Sequence, residues 1–194
     1  MTADFGPCIA ELDAGRVVVV PTDTVYGVAA LPQHVSAIFE VKRRPTEKAI
    51  PILAASEEAL RPVVRFTSEA QTLADRFWPG PLTLVLPRAE SFTHDLGGEA
   101  STIAVRVPDN DLLTALLRAT GPLAVTSANR SGEPPAATVA EAKKALGAEV
   151  RAFLDGGPSK GTPSTIISLA GAVRVLRRGA LPAEEIQRAL KELS

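Results

Sequence analysis

The sequence holds a single cysteine, Cys8, and only two histidines, His34 and His94, far apart along the chain. One cysteine cannot close an internal disulfide, and it cannot build a cysteine-rich zinc site. Two distant histidines are poor material for a His-based metal centre or a Ser/His/Asp triad. Aromatic residues make up 4% of the chain, too few for a surface built to stack bases. No apolar run approaches the ~18 residues that span a bilayer. The opening MTADFGPCIAEL has no basic leader followed by an apolar stretch. These absences point to a cytoplasmic protein without a membrane partner. Charge of one sign is also missing. A formal net charge of −1 counts against a general nucleic-acid or membrane-surface binder, while leaving room for a local basic cleft.

What is present is 194 residues, 45% of them apolar, enough for one sizeable core. No repeat, low-complexity tract or long linker divides the chain, so residues 1–194 read as a single domain. Strands are expected at 16–20, 50–54, 82–86, 102–107, 123–126, 152–154, 164–169 and 172–177. Helices are expected at 5–14, 34–44, 57–62, 67–78 and 138–147. Another follows Pro108-Asp109-Asn110 and carries Leu112, Leu113, Leu116 and Leu117. A last one starts near Pro182, with Ile186, Leu190 and Leu193 on one face. This alternation predicts an α/β (α+β) fold, a mixed sheet covered by helices. The pair of strands around Ala170-Gly171 adds antiparallel pairing, against a purely parallel sheet.

Polar residues gather at five places between these elements. Pro21 to Gly27 packs Thr22, Asp23, Thr24 and Tyr26 into one turn, read either as a site or as a turn capped by its own side chains. Lys42-Arg43-Arg44-Pro45 closes a helix. Lys42 falls seven residues after Val35, on the side of the apolar stripe, yet cations also suit a helix C-terminus for its dipole alone. Arg106 interrupts an apolar strand, sharing a face with Thr102 and Ala104. Its planar fork suits a carboxylate or phosphate, and an internal ion pair is the alternative. Ser127-Ala128-Asn129 follows a strand, where open α/β sheets bind ligands and where Asx turns also occur. The fifth place runs from Asp155 through Ser164-Thr165 to Arg177-Arg178. Its Gly156 to Thr162 segment has glycines at P-loop spacing, but Thr162 stands where the motif needs Lys, and a strand follows where it needs a helix. With no paired carboxylates, metal cluster or nucleophile–base pair, the inventory is one of hydroxyls, amides and cations. It suits an anionic, phosphate-bearing ligand.

In order, these segments read PTDTVYG at 21–27, KRRP at 42–45, WPGPLTLVL at 78–86, STIAVR at 101–106, SAN at 127–129, STII at 164–167 and LRRG at 176–179. Together they resemble the threonylcarbamoyl-AMP synthase family, the YrdC-like domain in its short bacterial type, over essentially the whole chain. The resemblance implies a twisted open sheet around a basic cavity. It implies a nucleotidyltransferase that joins L-threonine, bicarbonate and ATP into threonylcarbamoyl-AMP and pyrophosphate, with Mg²⁺ accompanying ATP. The product serves N6-threonylcarbamoyladenosine modification of tRNA at position 37, through a downstream tRNA threonylcarbamoyl transferase.

Carried over by position, Lys42 and Arg44 are the expected catalytic residues and contact ATP phosphates. Thr102, Asn129 and Arg177 complete the ATP site. Thr22, Tyr26, Arg106, Ser127 and Ser164 form the threonine site, with Arg106 on the substrate carboxylate. No protein metal site is expected. Two departures stand out: TEKAIPILAAS after Arg44-Pro45 lacks a histidine found there in some members, and LRRG replaces the commoner LRPG. The extra C-terminal domain of longer members is expected to be absent. The alternatives are a related carbamoyl-adenylate enzyme and a non-catalytic module contacting tRNA or double-stranded RNA.

Overall fold

The run Val17–Val20 is buried without interruption, as expected of a β-branched segment covered on both faces. In the computed structural model, which describes residues 4–192, its Val18–Val20 part is β1. The other strands are β2 (Gly27–Ala30), β3 (Ile52–Leu53), β4 (Leu82–Pro87), β5 (Thr102–Arg106), β6 (Leu123–Ser127), β7 (Ala152–Phe153), β8 (Thr165–Ser168) and β9 (Arg174–Arg177). They form one nine-stranded sheet in the order β7-β1-β2-β6-β3-β5-β4-β8-β9. The pairs β1–β7, β3–β5 and β4–β8 are parallel and the others antiparallel. The expected mixed sheet is therefore present.

The helices are α1 (Gly6–Asp13), α2 (Ser36–Lys42), α3 (Ser68–Phe77), α4 (Asp111–Thr120), α5 (Val139–Leu146) and α6 (Ala183–Lys191). Side-chain oxygens of Thr67, Asn110 and Thr138 accept the N–H of Ala70, Leu113 and Glu141, which fixes where α3, α4 and α5 begin. Asn110 is the cap inside the Pro108-Asp109-Asn110 signal.

Three expectations changed. β2 went unforeseen, because Gly27, Val28, Ala29 and Ala30 are small and show no alternation. It exists because Val18–Val20 and Ala124–Ser127 pair with its two edges. At Gly27 an added Cβ would lie 2.6 Å from Val125 Cγ1, so glycine permits the close approach of β6. The expected helix at 57–62 is only a 3-10 turn, Glu58–Leu60, and Pro62 has no N–H with which to carry the helical bonding on. The expected helix at 34–44 divides into a 3-10 turn, Pro32–His34, and α2. Leu193 lies outside the described residues.

The core has two parts. The larger lies on one sheet face and gathers Ile38, Leu73, Leu146 and Ile186 from α2, α3, α5 and α6 over Leu84, Val105 and Ile167. The smaller packs α1 and α4, through Leu12, Leu113, Leu116 and Leu117, on Val18, Val20, Leu53 and Val125. It draws no residue from β4, β5 or β8. On that same face the alternate residues of those strands, Thr83, Val85, Ala104, Arg106 and Ile166, line an open cavity of about 410 Å³.

Candidate active site

The cavity occupies the stretch of sheet that α1 and α4 leave uncovered. Eight of the ten residues expected from the sequence line it, the exceptions being Lys42 and Thr102. Arginines 44, 106 and 177 all reach it, against one lining carboxylate, Glu133.

Arg106 sits at the end of β5, where period two turns it to the cavity face and Val105 to the core. It is 4% exposed. Its Nη2 donates to Asp23 Oδ1 at 2.5 Å, its Nη1 to Thr24 Oγ1 at 3.0 Å and its Nε to the Gly80 carbonyl at 2.8 Å. Burial pulls this guanidinium down and Asp23 pulls it back up. A guanidinium carries five N–H donors, so three are used and two remain. The ion-pair and ligand-facing readings of Arg106 thus hold together.

The Thr22 turn is ordered by its own hydroxyl. Thr22 Oγ1 donates to the Val25 carbonyl at 2.6 Å and accepts the N–H of Thr24 and of Val25, each at 3.1 Å. Its proton is thereby committed, so the 2.9 Å contact between the two threonine hydroxyls must run from Thr24 to Thr22. A directed chain results, Arg106 to Thr24 to Thr22 to Val25, and each bond polarises the next. Asp23 and Thr24 were visible in the turn, but their pairing with a strand more than eighty residues away carried no local signal.

Tyr26 is fully buried. Its hydroxyl donates to the Gly157 carbonyl at 2.7 Å, lies 3.2 Å from Asp155 Oδ1 and accepts Gly156 N–H at 3.0 Å. Burial raises its pKa, so it stays protonated and pins the glycine-rich segment beside the cavity.

Across the floor, Ser164 Oγ and Thr83 Oγ1 are 2.8 Å apart. Arg177 donates to the Ser164 hydroxyl and carbonyl, each at 3.0 Å. Thr83 is a lining residue that sequence reasoning missed, hidden in the apolar LTLVL run. Consecutive residues Leu176 and Arg177 both reach the cavity, because β9 shifts register against β8 between Ile166 and Ile167, and a bulge re-aims side chains in this way. Arg44 donates through Nε and Nη2 to the carbonyls of Lys48 and Ala49. Burial lowers the pKa of Arg44, and of Arg177 with further help from Arg106 and Arg44. Both remain cations at neutral pH.

Lys42 is 1% exposed and lies behind the cavity wall. Arg43 caps α2 in the left-handed region, φ 49°, and turns Lys42 inward while Arg44 swings to the cavity. The Lys42 ammonium donates to the Ser127 carbonyl, to the Asn129 carbonyl at 2.5 Å and to Asn129 Oδ1 at 3.2 Å. The Asn129 amide nitrogen in turn donates to the carbonyls of Arg130 and Glu133. The pKa of Lys42 falls to about 7, first from burial and then from Arg44. The Lys42 bonds hold the Ser127–Asn129 turn from behind the cavity surface. Thr102 stands opposite Pro87, at the far end of β5, about 13 Å along the strand from Arg106. It is not among the residues that line the cavity.

The sequence model of the Sua5/YciO/YrdC family, described as telomere recombination, matches residues 10–179. A putative threonylcarbamoyl-AMP synthase of Mycobacterium tuberculosis is 39% identical over 188 residues, covering 94% of this chain and 87% of the relative. The threonylcarbamoyl-AMP synthase of Vibrio campbellii is 36% identical over 183 residues, 91% of this chain and 99% of that one. The crystal structure of Pyrococcus abyssi Sua5 complexed with L-threonine superposes with a TM-score of 0.91 at 36% identity. That match covers 96% of this chain, which spans little more than half, 57%, of the archaeal one.

Proposed function

The chain belongs to the Sua5/YciO/YrdC family, and from that premise we propose that residues 1–194 act as one domain that makes threonylcarbamoyl-AMP. The observation that carries this reading is the approach of Arg44, Arg106 and Arg177 to a single cavity, against Glu133 as the one lining carboxylate among the described residues and Asp23 paired behind Arg106. Cations in that excess call for a polyanion, and the two spare N–H groups of Arg106 suit a carboxylate. L-Threonine and ATP supply both.

The threonine amine condenses with bicarbonate to an N-carboxylate, releasing water and the amine's ammonium proton. A carboxylate oxygen of that species attacks the α-phosphorus of ATP. The bond from that phosphorus to the bridging oxygen breaks, and pyrophosphate leaves with the electron pair. No covalent enzyme intermediate is needed, so catalysis rests on position and charge. Arg106 holds the threonine carboxylate, oriented by Asp23 and Thr24. Thr22, Ser127 and Ser164 surround the amino acid, and Tyr26 fixes the wall beside it. Arg44 and Arg177 meet the phosphates. Asn129 borders the nucleotide, and Lys42 sets the turn that carries it. Mg²⁺ enters as part of the nucleotide substrate, held through phosphate oxygens and water. Among the described residues no group of three or more histidine, cysteine, aspartate or glutamate side chains is gathered to hold it.

The product passes to a tRNA threonylcarbamoyl transferase, for position 37 of tRNA, in the cytoplasm. No helix among the described residues is long and apolar enough to cross a membrane. The test is mass spectrometry after incubation with L-threonine, MgATP and ¹³C-bicarbonate. A threonylcarbamoyl-adenylate one mass unit heavier than with ordinary bicarbonate supports the reading. Unlabelled adenylate, or none, refutes it.

A further inference from the structure

The large apolar side chains left exposed among the described residues are Val173, Val175 and Leu176, at 49%, 39% and 53%. All three fall on or beside β9, the last strand of the sheet. Among the described residues β9 pairs with β8 alone. No backbone bond from Arg174–Arg177 to any element other than β8 is present among the described residues. The opposite edge, β7, is two residues long and packs against α1. That is how open edges are ordinarily blunted, whereas a free apolar edge is a template for pairing. In β9 two cations, Arg174 and Arg177, bracket the apolar pair Val175-Leu176. The Arg174 side chain makes no hydrogen bond or ion pair among the described residues, and Arg178 reaches Glu184 only at 3.8 Å with both side chains exposed.

We propose that the free edge of β9 docks an extended, acidic and apolar segment of a partner protein, which joins the sheet as a tenth strand. Backbone groups of β9 would supply the ladder, carboxylates would meet Arg174 and Arg178, and apolar residues would cover the two valines and Leu176. The charge pattern decides between occupants. Two copies of β9 paired with each other would set Arg174, Arg177 and Arg178 among their own kind, and like charges across a ladder repel. RNA would find cations here but no aromatic platform on which to stack. Since Leu176 and Arg177 also line the cavity, the docked segment would sit at its rim. The inference does not depend on which reaction the cavity performs.

The probe is the blocked peptide acetyl-Glu-Val-Glu-Val-Glu-Val-Glu-amide, with the Lys-for-Glu peptide as control. Each is titrated into the ¹⁵N-labelled full chain. The expected result is saturable binding of the acidic peptide, with amide shifts confined to residues 171–178 and β8. The basic peptide binds about tenfold more weakly or worse. The double variant Arg174→Glu with Arg178→Glu inverts the preference and leaves pyrophosphate release unchanged. If that variant fails to fold, Arg174→Gln with Arg178→Gln must still erase the preference. Binding of neither peptide, equal binding of both, or shifts elsewhere overturns the proposal. So does a shift of the β9 amides with protein concentration alone, which assigns the edge to a second copy. Shifts of the same amides by duplex RNA, lost in the charge-reversed variant, would overturn it in favour of RNA.

Discussion

Replacing Arg106 by Met tests the ion pair and the substrate role with one variant. The Arg106 and Asp23 side chains are each 5% exposed and meet at 2.5 Å. Removing the cation strands the Asp23 carboxylate without its partner, and breaking a buried pair in this way costs about 3–5 kcal/mol. Against a total stability of roughly 5–15 kcal/mol, that is a large fraction, readable as a lower urea midpoint at unchanged slope. Asp23→Leu added to Arg106→Met replaces both charges with apolar groups and recovers at least half of the loss, because desolvation of the pair is no longer required. Threonine-dependent pyrophosphate release stays absent in both variants, since the spare donors of Arg106 are gone. A single-variant loss below about 1 kcal/mol, the range of an exposed pair, would refute the burial argument. Turnover restored in the double variant would refute the assignment of Arg106 to substrate.

Lys42 gives a pH test. Its folded pKa of about 7 lies below the ordinary lysine value, so between those two values the unfolded chain binds more protons and stability rises with pH. Relative to Lys42→Met, the native protein should therefore gain roughly 2 kcal/mol between pH 7 and pH 9, and a flat difference would show that Lys42 keeps an ordinary pKa. Arg44→Gln should raise the KM for ATP about 10- to 100-fold, the value of a lost charge-assisted hydrogen bond, with little change in the KM for threonine. Equal effects on both substrates would remove Arg44 from the phosphates. Tyr26→Phe leaves the Gly157 carbonyl and Gly156 N–H without their shared partner and should cost about 1–3 kcal/mol in denaturant unfolding. A neutral result would mean that water replaces the phenol.

Much of this architecture was legible because it is written in local chemistry. β-Branched and apolar runs gave the long strands, and Thr67, Asn110 and Thr138 are ordinary capping residues at ordinary positions. β2 was not legible, since its strand character comes from neighbours on both edges and not from its own side chains. The site was legible as a set of strand-end segments in a family order. Its internal division was not. Nothing in the spacing says that Lys42 faces a turn some eighty-five residues later, or that Asp23 already occupies Arg106. Those pairings are consequences of topology, because β6 lies beside β2 and brings the Ser127 turn over the end of α2. The position of Thr102 is another such consequence. It shares a face with Arg106 by period two, but four residues of strand carry it away from the cavity.

The most direct test of the central claim is pyrophosphate release from MgATP by the purified, folded chain, with threonine and bicarbonate omitted in turn. Release is expected only when both are present, and is lost when either is withdrawn. Release that persists without threonine, or no release under any condition, would contradict it.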